Sequence, residues 1–266
     1  MTLSGNIGVV NDSVTVNAAV NVSGASTVTL TADTGAMTIG AAGHITSGTG
    51  VVTLTAAGGI TTAGDVTTTN AHVDINSDTT LSGPVTIDTD SGAGTVTFGG
   101  TLEGTGTESL NLDVGSGVVN LNGTGGNGGA DRVGAITIDS AAAVTATDEV
   151  FAAGYTQLAG NVDFQGALDL SGSLTLNVNL LGIAGPLTTG AAANITRTAG
   201  SIVLPRSTIG GNLDLTVPGS ITDSDVVEVT GTASFNSTDV NLTQIDIGGA
   251  IDVTTSDFAT LSNATG

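Results

Sequence analysis

The stretch VTLTA at residues 28–32 returns unchanged at residues 52–56, which is 24 residues later. In both copies large aliphatic residues alternate with threonine, which is the period of a strand with one buried face. The same alternation appears as VTF at residues 96–98, a further 44 residues along the chain, or about two steps of 22. A recurrence of this length indicates a stacked repeat architecture.

Short alternating triplets continue along the whole chain. Examples are VTV at residues 14–16, VTI at 85–87, LNL at 110–112, LTL at 174–176 and IDV at 251–253. Between them stand Gly, Ser, Asn and Asp, the residues that favour turns. Because no stretch of a dozen residues has helical periodicity, the sequence predicts an all-β protein with almost no helix.

The composition narrows the choice among repeat folds. The 266 residues include 41 Gly, one Tyr, five Phe and no Cys or Trp. Sandwich domains usually have buried aromatic residues, whereas a narrow stacked core has little room for rings. We therefore predict a right-handed parallel β-helix, a single elongated solenoid over residues 1–266 with roughly 12 coils of about 20–24 residues. The repeat weakens after about residue 100, so we expect a change of coil shape there and loop excursions near 123–132, 148–157 and 181–193.

The charge balance excludes one class of partner. Twenty-four acidic residues face three basic ones, Arg132, Arg197 and Arg206, so the formal net charge is −21. Such a surface repels the phosphate backbone, which argues against a nucleic-acid ligand. No apolar run approaches the roughly 18 residues needed to cross a bilayer, so we also expect no membrane insertion.

The acidic surplus makes Ca²⁺ the one cofactor to consider. Carboxylates stacked in register repel each other, and a bound cation relieves that repulsion with carboxylate and carbonyl oxygens. The candidate ligands all stand in turn-forming sequence and are Asp88, Asp90, Asp131, Asp223 and Asp225. Asp131 follows a glycine-rich stretch similar to a calcium-binding nonapeptide but falls one position late in it.

Catalytic residues are sparse. Hydrolysis of a polysaccharide needs two carboxylates on one face, and the closest pairs in the sequence are Asp88 with Asp90, Asp223 with Asp225, and Asp148 with Glu149. His44 and His72, the only histidines, are 28 residues apart, so adjacent coils could bring them together. With few cations and a single tyrosine beside them, we predict no enzymatic activity. A polysaccharide-active β-helix enzyme is the disfavoured alternative.

Several segments resemble a known family. VVTLTAAGGI at residues 51–60, GNLDLTV at 211–217 and VTGTASF at 229–235 are similar to repeats of filamentous-haemagglutinin-type bacterial surface proteins. The resemblance implies secretion by a two-partner or autotransporter route to the bacterial cell surface. It also implies adhesion to molecules of host or neighbouring cells, glycans included. The chain departs from the family in having no Asn-Pro motif of a secretion domain and no aromatic-rich carboxyl-terminal barrel.

The functional prediction is a structural and adhesive rod segment of a secreted bacterial surface protein. An alternative is a self-assembling extracellular fibre subunit. A solenoid without caps presents unpaired strand edges at both ends, and these favour stacking end to end.

Overall fold

The computed structural model describes residues 2–3, 5–125 and 130–263. Within these ranges every regular element is a β-strand, and the strands pair in parallel. They stack as a β-solenoid of about 13 turns, which confirms the predicted all-β parallel β-helix of roughly 12 coils. Each turn has three faces, which we number 1 to 3 in the order in which the chain passes through them.

The described residues form 33 strands. Those on face 1 are β1 (Thr2–Leu3), β4 (Val20–Val22), β7 (Ile45–Thr46), β10 (Val66–Thr67), β13 (Val85–Asp88), β16 (Leu110–Asp113), β18 (Val133–Ser140), β20 (Val150–Gln157), β23 (Leu174–Val178), β26 (Ala193–Arg197) and β29 (Leu213–Thr216). Two of them begin on face 3 before they turn onto face 1, because Val133 of β18 pairs with Ala152 of β20, and residues 150–152 of β20 pair with residues 168–170. Those on face 2 are β2 (Ile7–Asn11), β5 (Val28–Ala32), β8 (Val52–Ala56), β11 (Val73–Ile75), β14 (Val96–Phe98), β17 (Val118–Leu121), β19 (Ala143–Ala146), β21 (Asn161–Phe164), β24 (Leu181–Ile183), β27 (Ile202–Leu204) and β30 (Ser220–Asp223). Those on face 3 are β3 (Val14–Val16), β6 (Met37–Ile39), β9 (Ile60–Thr62), β12 (Thr79–Leu81), β15 (Leu102–Glu103), β22 (Leu168–Leu170), β25 (Leu187–Thr189), β28 (Ser207–Ile209) and β31 (Val227–Val229). The long strands β32 (Ala233–Ile247) and β33 (Ile251–Asn263) bend around the corners and contribute to all three faces.

The register between coils follows the repeat in the sequence. Val28 pairs with Val52, so the two VTLTA segments are stacked residue for residue. Val73 then lies between Val52 and Val96, which accounts for the double step to the VTF segment. Along this row each valine therefore packs on a valine of the neighbouring coil.

The core is a continuous column of inward-facing side chains from all three faces. Val, Ile, Leu and Ala fill most of it. Four of the six aromatic residues are also fully buried there: Phe98, Tyr155, Phe164 and Phe235. The rings of Tyr155 and Phe164 meet edge to face with their centroids 5.2 Å apart, a favoured geometry for an aromatic pair. The narrow core thus holds rings at a few levels.

Coil length changes along the solenoid. On face 2, the coils up to Val144 have 21–25 residues between paired positions. Val144 pairs with Val162, only 18 residues later, and Val162 with Leu181 after 19. The change of coil shape predicted after about residue 100 therefore occurs nearer residue 150.

Two of the three predicted loop excursions are corrected by the strand assignments. Residues 148–157 contain β20, and residues 181–193 contain β24 and β25, so both segments are regular parts of the solenoid turns. Small or polar inward residues such as Ala152 and Gln157 hid the alternation. In the segment 123–132, Thr124 bridges to both Leu102 and Val150 and so continues face 3. Residues 126–129 of that segment lie outside the described residues.

Candidate functional site

The five predicted calcium ligands lie at separate places on the solenoid. Asp88 ends β13 on face 1 and Asp90 follows it at the corner with a φ of 63°. Asp131 precedes β18, whereas Asp223 and Asp225 stand at the end of β30 and just beyond it. The structure therefore keeps Asp88 with Asp90 and Asp223 with Asp225 but does not bring the two pairs together.

Most of these carboxylates accept hydrogen bonds from backbone amides. Asp88 Oδ1 accepts from the amide of Asp90 at 2.7 Å, and Asp90 Oδ1 accepts from Ser91 at 2.6 Å. The two oxygens of Asp223 accept from the amides of Thr243 and Gln244 at 2.7–3.0 Å. In the part of the chain that the structure describes, no three His, Asp or Glu side chains converge as a metal site would require. The calcium site stays a prediction.

The third carboxylate pair and the histidines also have structural contacts. Asp148 Oδ1 accepts from the amide of Glu149 at 2.8 Å. His44 lies at the corner before face 1 and His72 at the corner before face 2, so the expectation that adjacent coils bring them together is wrong. Nδ1 of His72 accepts from the amide of Thr95 at 3.0 Å, and Nδ1 of His44 accepts from the amide of Asp65 at 3.3 Å.

A recurring contact at the corners explains many of these polar residues. A side-chain acceptor of one coil receives a hydrogen bond from a backbone amide of the next coil toward the carboxyl terminus. Five such pairs are Asn6 with Thr27, Asp65 with Thr86, His72 with Thr95, Asp78 with Thr101 and Asn212 with Thr232. These Asp, Asn and His side chains therefore satisfy backbone donors that would otherwise be left unpaired at the turns.

The charged form of Glu103 is disfavoured by its surroundings. Partial burial raises the pKa of Glu103, and the charges of Asp131 and Asp78 raise it further. Glu103 pairs with Thr80 on face 3, close to the predicted excursion at 123–132. The three carboxylates thus form a group of like charges in this region.

Arg132 connects three consecutive coils. Its Nη1 donates to the carbonyl oxygen of Ala152 at 3.0 Å and also to that of Asp169. Its Nη2 pairs with Asp169 Oδ1 at 3.2 Å. The guanidinium carbon lies 5.6 Å from the centroid of the Phe151 ring. These contacts give Arg132 a structural role, since its charge and its donors are used within the solenoid.

Arg197 occupies a different environment. It is the last residue of β26, pairs with Val178 of β23, and points inward in phase with Ala193 and Ile195. Only 7% of its surface is exposed, and its Nε atom has no hydrogen-bond partner among the described residues. Burial lowers its pKa. Within the described ranges, both ion pairs of the structure involve other residues.

An open groove of about 410 Å³ lies beside Arg197, at the corner between faces 1 and 2. It runs over four consecutive coils, because its lining includes residues of the segments 197–198, 216–218, 236–238 and 254–256. Seven of the eleven lining residues carry a hydroxyl group, and Asn236 adds an amide. The sequence analysis did not select this groove. The feature of the sequence that could have indicated the groove is Arg197, which stands where neighbouring coils have an inward aliphatic residue.

The two ends of the described solenoid are apolar. A cavity of about 520 Å³ at the first coil is lined by Ile7, Val9, Val14 and Val16, and Val10 beside it is 68% exposed. At the other end, Ile251 is 43% exposed and Phe258 58%. Four of the seven exposed large hydrophobic residues thus lie on the first and last coils.

The fold and the site define a repeat protein of the parallel β-solenoid class. Residues 190–265 are similar to a family described as repeats of unknown function (DUF5649). This segment begins just before β26, and the groove beside Arg197 lies within it. Comparison with curated proteins and with solved structures gave no match. No helix among the described residues has the length and apolar character of a membrane span.

Proposed function

We propose that the chain is a rigid rod segment at a bacterial cell surface, with a structural and adhesive role. The observation that carries this proposal is the uninterrupted stack of about 13 turns around one apolar column. At the strand spacing of about 4.8 Å, such a stack is about 60 Å long. A rod of this kind holds a contact surface at a fixed distance from its point of attachment.

The outer faces suit repeated weak contacts. Outward positions of face 2 carry threonine and other polar residues in register, as in the row Thr29, Thr53, Asp74, Thr97 and Asn120. Asn120 Nδ2 donates to Thr97 Oγ1 at 3.5 Å, so parts of the row bond along the rod. A regular row of polar side chains offers many repeated contacts to molecules on a neighbouring cell, glycans included.

A non-enzymatic role is part of the proposal. The carboxylate pairs that would act as acid and base are engaged by backbone amides, as in Asp88 and Asp223. Placement outside the cell rests on the resemblance to filamentous-haemagglutinin-type repeats in the sequence. Ca²⁺ bound at turn carboxylates remains a proposed addition to this rod.

Small-angle scattering tests the shape of the chain, and a bead-adhesion assay tests its adhesive role. We expect isolated particles about 60 Å long and retention of chain-coated beads by cells. Beads coated with the unfolded chain are the control, because they carry the same charge without the stacked faces. A compact particle, or equal retention of both kinds of bead, would contradict the proposal.

Self-assembly end to end is the second candidate. The exposed Val10 and Ile251, on the first and last coils, favour it, and the occupant we propose is a second copy of the chain. The last coil offers the same three-faced parallel edge that the first coil presents. The coils at the amino-terminal end have more residues than those at the carboxyl-terminal end, so the two ends match imperfectly. For this reason we rank self-assembly below the isolated rod.

Charged substitutions at the ends separate the two candidates. Val10→Lys with Ile251→Lys should abolish concentration-dependent fibres, because a lysine on an edge strand opposes pairing. Val203→Lys is the matched control, since Val203 is 56% exposed but lies on β27 within the rod. If the native chain stays as single rods at high concentration in sedimentation and electron microscopy, self-assembly is excluded.

A further inference from the structure

We propose that the corner groove beside Arg197 binds a carboxylate-bearing saccharide, with the guanidinium group holding the carboxylate. The proposal deepens the adhesive role proposed above by naming a ligand class and a site for it. It rests on three observations: the position of Arg197, its lack of a partner, and the composition of the groove.

The position of Arg197 has no structural explanation. Along the same inward row, the coil below has Val178 and the coil above has Val217, both buried. A valine at position 197 would continue this row and bury no charge. Burying a guanidinium group without compensation is costly. An arginine at this position therefore lowers stability unless something outside the chain uses it.

Arg197 lines the groove and makes no ion pair among the described residues. Its Nε is buried without a hydrogen bond among the described residues, in contrast to Arg132, whose donors are taken by Ala152 and Asp169. Nη2 lies close to Gly200, where an added Cβ would be only 3.2 Å away. The absence of a side chain at Gly200 thus leaves room for the group at the corner.

The groove provides the remaining contacts of a sugar. Within the described residues, the side chains of Thr216, Asn236 and Thr254 make no hydrogen bond of their own, although they line the groove. Val217 and Pro218 add apolar surface. Hydroxyl and amide groups can both donate and accept, which suits the hydroxyl groups of a sugar ring. The volume of about 410 Å³ lies in the range of small-molecule sites.

The charge of the ligand follows from the same residues. A guanidinium group matches the two oxygens of a carboxylate in a bidentate arrangement. The net charge of −21 opposes anions at long range, but at physiological salt the field is screened beyond about 8 Å. We therefore expect binding in the groove to depend on the direct contact with Arg197.

The test uses the full chain with three probes. They are a uronate trisaccharide, its methyl ester, which lacks the negative charges, and inorganic sulfate. We expect calorimetry or NMR titration to show binding of the uronate and much weaker binding of the ester. Arg197→Val should weaken uronate binding by about tenfold or more, since hydrogen bonds to a charged group are worth that much. Arg206→Gln removes one exposed positive charge and should leave the affinity unchanged.

The same variant gives an independent readout. Because it removes an unpartnered buried charge, Arg197→Val should melt at a higher temperature than the native chain. The proposal is overturned by any of four results: no uronate binding by the native chain, equal binding of ester and uronate, unchanged binding by Arg197→Val, or a preference for sulfate over the uronate. A lower melting temperature for Arg197→Val also counts against it, because Arg197 would then stabilise the fold. Rod length by scattering is independent of these outcomes, so loss of this site leaves the rod proposal standing.

Discussion

Glu108 shows how strongly a single acidic residue is held in this protein. Its carboxylate accepts hydrogen bonds from both the hydroxyl and the amide of Thr105, each at 2.7 Å, and from the hydroxyl of Thr107 at 3.1 Å. These bonds, the hydroxyl of Thr105 first, lower the pKa of Glu108 to about 2. The folded state therefore prefers the charged form of this residue.

We predict that Glu108→Gln destabilises the chain near neutral pH by roughly 1 kcal/mol, after allowing for solvent screening. A lowered pKa stabilises the fold above the ordinary value of 4.5, and the effect is lost as the pH falls toward 2. Denaturant unfolding at pH 7 and at pH 2.5 measures the difference. Equal destabilisation at both pH values would show that the charge of Glu108 is irrelevant.

The pKa of Glu103 is shifted in the opposite direction from that of Glu108. Its pKa is raised by burial and by Asp131 and Asp78, so the charged form is disfavoured in the fold. Stability therefore decreases as the pH rises through the window that begins at 4.5. We predict that Glu103→Gln raises the free energy of unfolding at pH 7 by about 0.5 kcal/mol. Thermal melts at pH 4 and pH 7 check this, and a gain at pH 4 as large as at pH 7 would contradict it.

The residues of the candidate site were harder to predict than the strands. Arg197 stands in ANITR, at the place where LTLNV and LDLTV have valine. The substitution is visible only once the three segments are aligned at steps of 19 and 20 residues, and the sequence alone does not fix those steps. The acceptor role of His72 also depends on which amide the next coil places opposite it.

At the scale of the strands, alternation was a reliable guide where the inward residues are large and aliphatic. VTLTA on VTLTA is stacked as the sequence predicts. The strand β20 was missed because its inward residues include Ala152, Tyr155 and Gln157. The hydroxyl of Tyr155 donates to Gln157 Oε1 at 2.8 Å, and Gln157 Nε2 donates to two carbonyl groups. Polar side chains can face this core because they bond to each other, a pairing that hydrophobic patterns do not reveal.

The aromatic layer formed by β20 and β21 gives a prediction at this scale. Phe164 is fully buried and packs edge to face on Tyr155. We predict that Phe164→Ala lowers the free energy of unfolding by about 3–5 kcal/mol, because it leaves a cavity in a column that cannot collapse locally. Phe258→Ala is the control, since Phe258 is exposed on β33. Chemical denaturation compares them, and similar effects of the two changes would argue against the stacked core.

At the scale of the whole molecule, a solenoid is a sum of coils that contact only their neighbours. Deletion of residues 174–192 removes β23, β24 and β25, one complete turn, and joins β22 to β26. We predict a folded rod about 5 Å shorter, with cooperative unfolding retained. Circular dichroism and small-angle scattering measure both properties.

Deletion of residues 174–183 is the matched control for this experiment. It removes β23 and β24 but keeps β25, so the chain reaches β25 one face after β22 and not the complete turn that would stack β25 on β22. The inward residues of all later coils then fall out of register, so we expect this shorter deletion to be the more damaging one. If both deletions unfold the chain equally, the coils are not independent units.

Most of the corner hydrogen bonds from a backbone amide to a side chain run in one direction, and this affects how the chain would fold during synthesis. Acceptors such as Asn6, Asp65 and Asp78 lie one coil before the amides of Thr27, Thr86 and Thr101 that they bind. A coil that has already folded thus has unpaired hydrogen-bond acceptors at its corners, together with an unpaired strand edge on each face. When the amino terminus emerges first, every new segment meets a finished template. We therefore expect the rod to grow as a zipper from its amino-terminal end, without needing the rest of the chain to be present.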